Sequence, residues 1–218
     1  MTKPDDRTAV RDRILVATLP HAAFDGWSRA ALKAGAADVG LDEGWKQDMA
    51  PRAFPGGIPD LVDHLADWTD RRMLDELAKL DLESMRIRDR IAAGVRARLQ
   101  VLAPYREGVR RLLSHMSLPQ NAPQAARLTW RAVDAVWYAA GDQSSDFNYY
   151  TKRGLLAPVY STTVLYWLAD ESEDFADTWA FLDRRIGDVL KIPAASSRIK
   201  KALSMLPGPL RAFRRARG

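Results

Sequence analysis

The chain has 218 residues, 47% of them hydrophobic, and carries a formal net charge of +5. One or two domains of ~100–200 residues fit this length, and the apolar content suffices for a sizeable core. The absence of cysteine excludes disulfides and thiolate metal sites, and no apolar run approaches the ~20 residues of a membrane-spanning helix.

The N-terminus, MTKPDDRTAV, shows no apolar signal region. Asp5 and Asp6 argue against an Arg-rich, acid-poor transit peptide, so a cytoplasmic protein or a processed mature form is expected. No β-alternation is evident, whereas helical spacing recurs. Val10, Ile14 and Ala17 form a stripe expected to stop at Pro20. Ser28 is placed to cap a short helix running to Gly40, and another is expected from Glu43 to Met49. Ile58-Pro59-Asp60 opens a longer helix, because proline suits the first helical turn. Leu61, Leu65 and Trp68 make its buried face. The spacing of Ile87, Ile91, Val95, Leu99 and Leu102 predicts a helix ending near Pro104. Val109, Leu112, Leu113 and Met116 predict one ending at Pro119.

The second half is more apolar and more aromatic. Ala126, Trp130, Val133 and Trp137 share a face, with Gly141 as the helix stop. Leu156, Tyr160, Thr163 and Trp167 share another. Phe175, Trp179, Leu182, Ile186 and Val189 step by four and three up to Pro193. Such stripes are first of all core. Large aromatics packed loosely between helices also leave apolar cavities, and these bind apolar ligands. Trp130, Val133, Trp137, Leu156, Tyr160 and Trp167 are therefore the candidate lipid-binding residues.

Catalytic signatures are absent. Thr18, Leu61 and Leu112 stand three positions before His21, His64 and His115, so no Glu-x-x-His pair of a di-iron bundle exists. No H-E-x-x-H, P-loop, G-x-S-x-G or G-x-G-x-x-G motif occurs, and Gly56-Gly57 stands alone. A non-enzymatic protein without metal or cofactor is expected.

From Ala194 to Gly218 there is no acidic residue. Arg198, Lys200, Lys201, Arg211, Arg214, Arg215 and Arg217 accompany Ile199, Leu203 and Leu206, which fall on one helical face. Leu210 and Phe213 follow the Pro207-Gly208-Pro209 break. A basic amphipathic helix of this kind lies in the headgroup layer of an anionic membrane. A solvated tail and a nucleic-acid arm are the competing readings, and the apolar residues favour the membrane over the nucleic acid.

The segment Ala139-Ala140-Gly141-Asp142-Gln143-Ser144-Ser145-Asp146-Phe147-Asn148-Tyr149-Tyr150-Thr151-Lys152-Arg153 sets a polar loop between two aromatic helices. It is followed by Gly154-Leu155-Leu156-Ala157, Tyr160-Ser161-Thr162-Thr163 and, later, Asp174-Phe175-Ala176-Asp177-Thr178-Trp179-Ala180-Phe181-Leu182. This pattern closely resembles the coenzyme Q nine family, accessory lipid-binding proteins of ubiquinone biosynthesis. The resemblance implies an all-α bundle like the TetR-type regulators. Residues 1–80 would hold a helix-turn-helix-like unit, 81–192 a lipid-binding helical domain, and 193–218 an amphipathic membrane-surface helix. It further implies a homodimer that presents an isoprenoid quinone intermediate to the demethoxyubiquinone hydroxylase, with Asp146, Tyr149 and Tyr150 facing that partner. Tyr149 stands where the family motif has tryptophan. The family's mitochondrial members carry a targeting segment with no counterpart here, so a bacterial cytoplasmic protein at the inner membrane is expected. A TetR-like DNA-binding regulator is the alternative. Its recognition stretch, Asp42-Glu43-Gly44-Trp45-Lys46-Gln47-Asp48-Met49, offers three acids and one lysine to the phosphates, which makes DNA an unfavourable partner.

Overall fold

The computed structural model describes residues 6–39, 49–142 and 147–189, and the regular structure among them is entirely helical. Three helices come first: α1 (Asp6–Asp25), α2 (Arg29–Asp38) and α3 (Met49–Ala53). They are followed by α4 (Ile58–Leu77), α5 (Ile87–Leu102), α6 (Arg106–Met116), α7 (Ala122–Ala139) and α8 (Phe147–Ala169). A last helix, α9, covers 176–189. The expected helix from Glu43 falls outside the described residues until Met49, and so does the whole basic segment after 189.

Several boundaries follow from local chemistry. The Ser28 hydroxyl accepts a 3.1 Å hydrogen bond from the Ala31 amide and caps α2. Pro59 sits in the first turn of α4, where its missing N–H leaves nothing unpaired. Short 3-10 turns at Ala103–Tyr105 and Pro119–Asn121 separate α5, α6 and α7. Gly141 adopts φ +89° beyond α7, a left-handed conformation that favours glycine.

One expected boundary is corrected. Pro20 lies inside α1, which continues to Asp25. Proline removes one backbone hydrogen bond there, but Leu15, Leu19 and Ala22 are all buried, and that burial carries the helix through. Gly26, at φ +69°, marks the turn that follows. The Trp27 indole then donates a 2.9 Å hydrogen bond to the Gly108 carbonyl, fixing this turn on α6.

A single core joins early and late helices. Ile14, Leu61, Leu99, Val133, Trp167 and Leu182, from six different helices, are almost completely buried in it. α1 lies against α2, α4 and α6. The α1–α2 approach is close enough to require glycine, since a Cβ on Gly35 would come within 2.6 Å of the Thr18 backbone.

Candidate functional site

Between α4, α5, α6, α7 and α8 lies a cavity of about 370 Å³. This is within the ~300–1,000 Å³ range of small-ligand pockets. Leu65, Leu102, Leu113, Leu128 and Val164 contribute one apolar wall residue from each helix. On α7 the facing positions Ala125 and Ala132 are small, and the missing side-chain volume leaves the space open.

The wall has one strongly polar place. Arg98 of α5 and Tyr160 of α8 both line the cavity, and Arg98 is 4% exposed. The Arg98 Nε donates to the Tyr160 hydroxyl oxygen at 3.1 Å, and its Nη1 pairs with the Asp70 carboxylate of α4. Burial opposes the guanidinium charge, but Tyr160 and Asp70 outweigh it and hold Arg98 above its ordinary pKa. The pairing continues away from the cavity. Arg131 donates to Asp70 at 2.8 Å and to Asp67 at 2.9 Å. Arg71 donates to Asp67 at 2.9 Å and, with both terminal nitrogens, to Asp12 at 2.9 and 2.7 Å. The ladder ends on buried His64, whose Nε2 lies 2.8 Å from Asp12. Burial, reinforced by the Arg11 cation, pushes the His64 imidazole below its ordinary pKa despite Asp12.

Of the six residues read from the sequence as lipid-binding, Tyr160 lines this cavity. Val133, Leu156 and Trp167 are buried in the core outside its wall. Trp137 is also buried, donates its indole N–H to the Lys152 carbonyl at 3.2 Å, and carries the Lys152 ammonium over its ring. Trp130 is half-buried and faces Tyr149 and Tyr150, with centroid separations of 6.4 and 6.2 Å. Sequence reading missed Arg98, Leu128 and Ala132. A signal for Arg98 existed: Ile91, Val95, Arg98 and Leu102 share one helical stripe, and an arginine inside an apolar stripe marks a buried charge.

The predicted partner-facing residues divide differently. Asp146 lies outside the described residues. Tyr150 is 64% exposed, and Tyr149 packs edge-on against it at 5.1 Å. Tyr149 is half-buried, donating its hydroxyl to Asp134 at 3.0 Å beneath the Arg153 guanidinium, 3.5 Å from the ring centre. Arg153 is buried and donates to Asp134 at 2.5 Å and to Asp142 at 3.0 Å, fixing the base of this aromatic surface. The predicted membrane residues Arg198, Ile199, Lys200, Lys201, Leu203, Leu206, Leu210 and Phe213 lie outside the described residues. Among the described residues no helix is long and apolar enough to cross a membrane.

The architecture has a solved counterpart. The TetR transcriptional regulator from Nitrosomonas europaea aligns with a TM-score of 0.65 at 24% identity, covering 84% of this chain and 98% of its own. That likeness establishes the all-α, TetR-like fold. By sequence, the rat protein named ubiquinone biosynthesis protein COQ9, mitochondrial, is 36% identical over 198 residues, 88% of this chain and 62% of its own length. Its human counterpart is 35% identical over 88% of this chain and 61% of its own length. The Drosophila melanogaster protein of the same name is 32% identical over 84% of this chain and 56% of its own length. The chain thus spans about 60% of the length of the curated relatives it matches. These relatives correct the expectation of a bacterial cytoplasmic protein, for they are eukaryotic and mitochondrial by name. The acidic residues near position 5 describe only that stretch and say nothing of a compartment. Residues 122–193, the region of α7 to α9 that holds the Arg153-centred aromatic surface, match the COQ9 family model, and together with these relatives, aligned across most of this chain, the match supports the COQ9 family.

Proposed function

We propose that this protein serves ubiquinone biosynthesis as a non-enzymatic carrier that holds an isoprenoid quinone intermediate and presents it to the demethoxyubiquinone hydroxylase. The observation that carries the reading is the apolar cavity between α4 and α8, found in a chain whose relatives are named for that pathway. A hydrocarbon chain gains from leaving water in proportion to its buried area. A cavity walled by leucine and valine supplies that gain without any catalytic group. The basic segment after Pro193 would bring the cavity to an anionic membrane surface. The aromatic surface around Tyr150 would meet the hydroxylase. Two copies would pair through the outer strip of α8 and α9, where Tyr166 is exposed and stacks on Phe181 at 4.7 Å.

The test is to identify lipids that copurify with the protein by native mass spectrometry, comparing wild type with Ala125→Phe. Ala125 lines the cavity and is half-buried, so the added ring fills the space from the α7 side. A prenylated quinone or its precursor is expected with wild type and is expected to be lost from a folded Ala125→Phe variant. Equal lipid in both would place the ligand elsewhere and defeat the reading.

A further inference from the structure

We infer that Arg98 and Tyr160 form an oxygen-reading point in the cavity, so that the ligand is a neutral amphiphile with a carbonyl or ether oxygen at its ring end. This rests on the reading of the cavity as a lipid site and adds what the lipid must carry. The Tyr160 hydroxyl accepts from the Arg98 Nε, which leaves its own proton to donate. Among the described residues the Tyr160 hydroxyl and the Arg98 guanidinium meet each other and Asp70, with no further hydrogen bond from the Tyr160 proton or from the Arg98 Nη2. Two donors therefore face the cavity at the one charged place in a wall built mainly from leucine, valine and alanine, with the hydroxyls of Thr69, Ser117, Thr129 and Ser161 elsewhere on it. An apolar ligand entering the cavity would displace the water that these donors can reach and leave them unpaired, whereas an acceptor oxygen on the ligand keeps them paired. The cation behind Tyr160 also polarises its O–H and strengthens it as a donor.

Charge balance decides between a neutral oxygen and an acid. Arg98, Arg131 and Arg71 are matched along the ladder by Asp70, Asp67 and Asp12. A carboxylate entering the cavity would bring a charge that no group of the ladder is left to neutralise. The neutral carbonyl asks only for the two donors.

Three probes matched in ring and chain separate these cases: decyl-para-benzoquinone, decylbenzene and para-decylbenzoate, each measured by displacement of a fluorescent apolar probe from the full chain. Wild type is expected to prefer the quinone over decylbenzene by on the order of 10-fold. It is also expected to bind the benzoate less well than the quinone. Tyr160→Phe should lose most of that preference, read as the ratio of quinone to decylbenzene affinity within the variant. Equal binding of quinone and hydrocarbon by wild type would overturn the oxygen reading and leave the lipid site standing. The benzoate binding tightest would overturn the neutral-ligand argument. Full preference retained in Tyr160→Phe would overturn the role of the phenol. Failure of all three probes to displace would sink the lipid site itself, and this inference with it.

Discussion

Asp170 shows how much one carboxylate contributes when its surroundings are arranged for the anion. It sits just past α8, 6% exposed, and accepts from the amide and hydroxyl of Ser172 at 2.8 and 2.6 Å and from those of Thr178 at 2.9 and 2.5 Å. Burial alone would raise its pKa, but the Ser172 and Thr178 hydrogen bonds prevail and bring it from 3.8 to about 2. A carboxyl whose folded pKa is depressed stabilises the fold above its unfolded pKa, and that contribution fades as pH falls from about 3.8 towards about 2. Asp170→Asn is expected to cost about 2 kcal/mol at neutral pH. The gap between wild type and variant in urea unfolding should close on acidification; a gap independent of pH would mean that the clasp does not act through the charge. Tyr149 and Tyr150 divide their labour in a similarly local way. Neighbours on a helix diverge by about 100°, so they cannot share one environment. The half-buried Tyr149 is bonded to Asp134, while Tyr150 projects into solvent. Tyrosine at an exposed site supplies large contact area with a polar tip. In a hydroxylase pull-down, Tyr150→Asp should therefore abolish capture at unchanged thermal midpoint. Tyr149→Ala is expected to lower that midpoint as well. Capture of Tyr150→Asp at wild-type levels would move the docking surface elsewhere.

At the scale of the helices, most of the fold was legible. The stripes on α4, α5 and α6 lie at their expected positions except that Ile87, at the start of α5, is exposed, and Ser28 opens α2 and Gly141 follows α7 as cap chemistry requires. What the sequence could not decide was which of two stripes on α7 faces the cavity. Trp130, Val133 and Trp137 make the conspicuous stripe, but its members go to the core and the aromatic surface. The plainer set of Ala125, Leu128 and Ala132 lines the space. A cavity is volume that nothing fills, so small residues mark it better than large ones do. Pro20 misled for a related reason: a local breaker was weighed without the burial that overrides it. Two predictions belong here. Trp137→Ala removes a buried indole outside the cavity and should cost ~3–5 kcal/mol with the cavity's lipid affinity retained in the folded fraction. Loss of lipid without loss of stability would put Trp137 at the ligand after all. Removing residues 196–218 should leave the helical signal of α1–α9 intact and weaken sedimentation with anionic vesicles, most visibly at low salt. Unchanged sedimentation would deny that segment its membrane role.

At the scale of the whole molecule, a continuous polar ladder runs from Arg98 to His64. It runs from the cavity wall on α5 through α4 and α7 to Asp12 on α1, so it ties the cavity to the first helices. Its rungs are unequal. The Arg98 side chain is 5% exposed and that of its partner Asp70 13%, whereas Arg127 and Asp63, on α7 and α4 at the surface, are 64% and 38% exposed. An exposed pair returns little, because water and salt screen it and two flexible side chains must be ordered. Breaking a buried pair leaves a charge without compensation. Asp70→Asn is therefore expected to cost about 3 kcal/mol or more, and Asp63→Asn less than about 1 kcal/mol. High salt should shrink the effect of Asp63→Asn and leave that of Asp70→Asn nearly unchanged. A third variant separates stability from recognition. Replacing both partners, Arg98→Met with Asp70→Leu, removes the buried charges together and should restore much of the stability that Asp70→Asn loses. It also removes the donor behind Tyr160, so the preference for a quinone over its hydrocarbon analogue should not return. If Asp70→Asn costs no more than Asp63→Asn, Arg98 is satisfied by solvent entering the cavity, and the ladder does not hold the bundle together. If the apolar pair restores stability and preference alike, the buried charges serve neither.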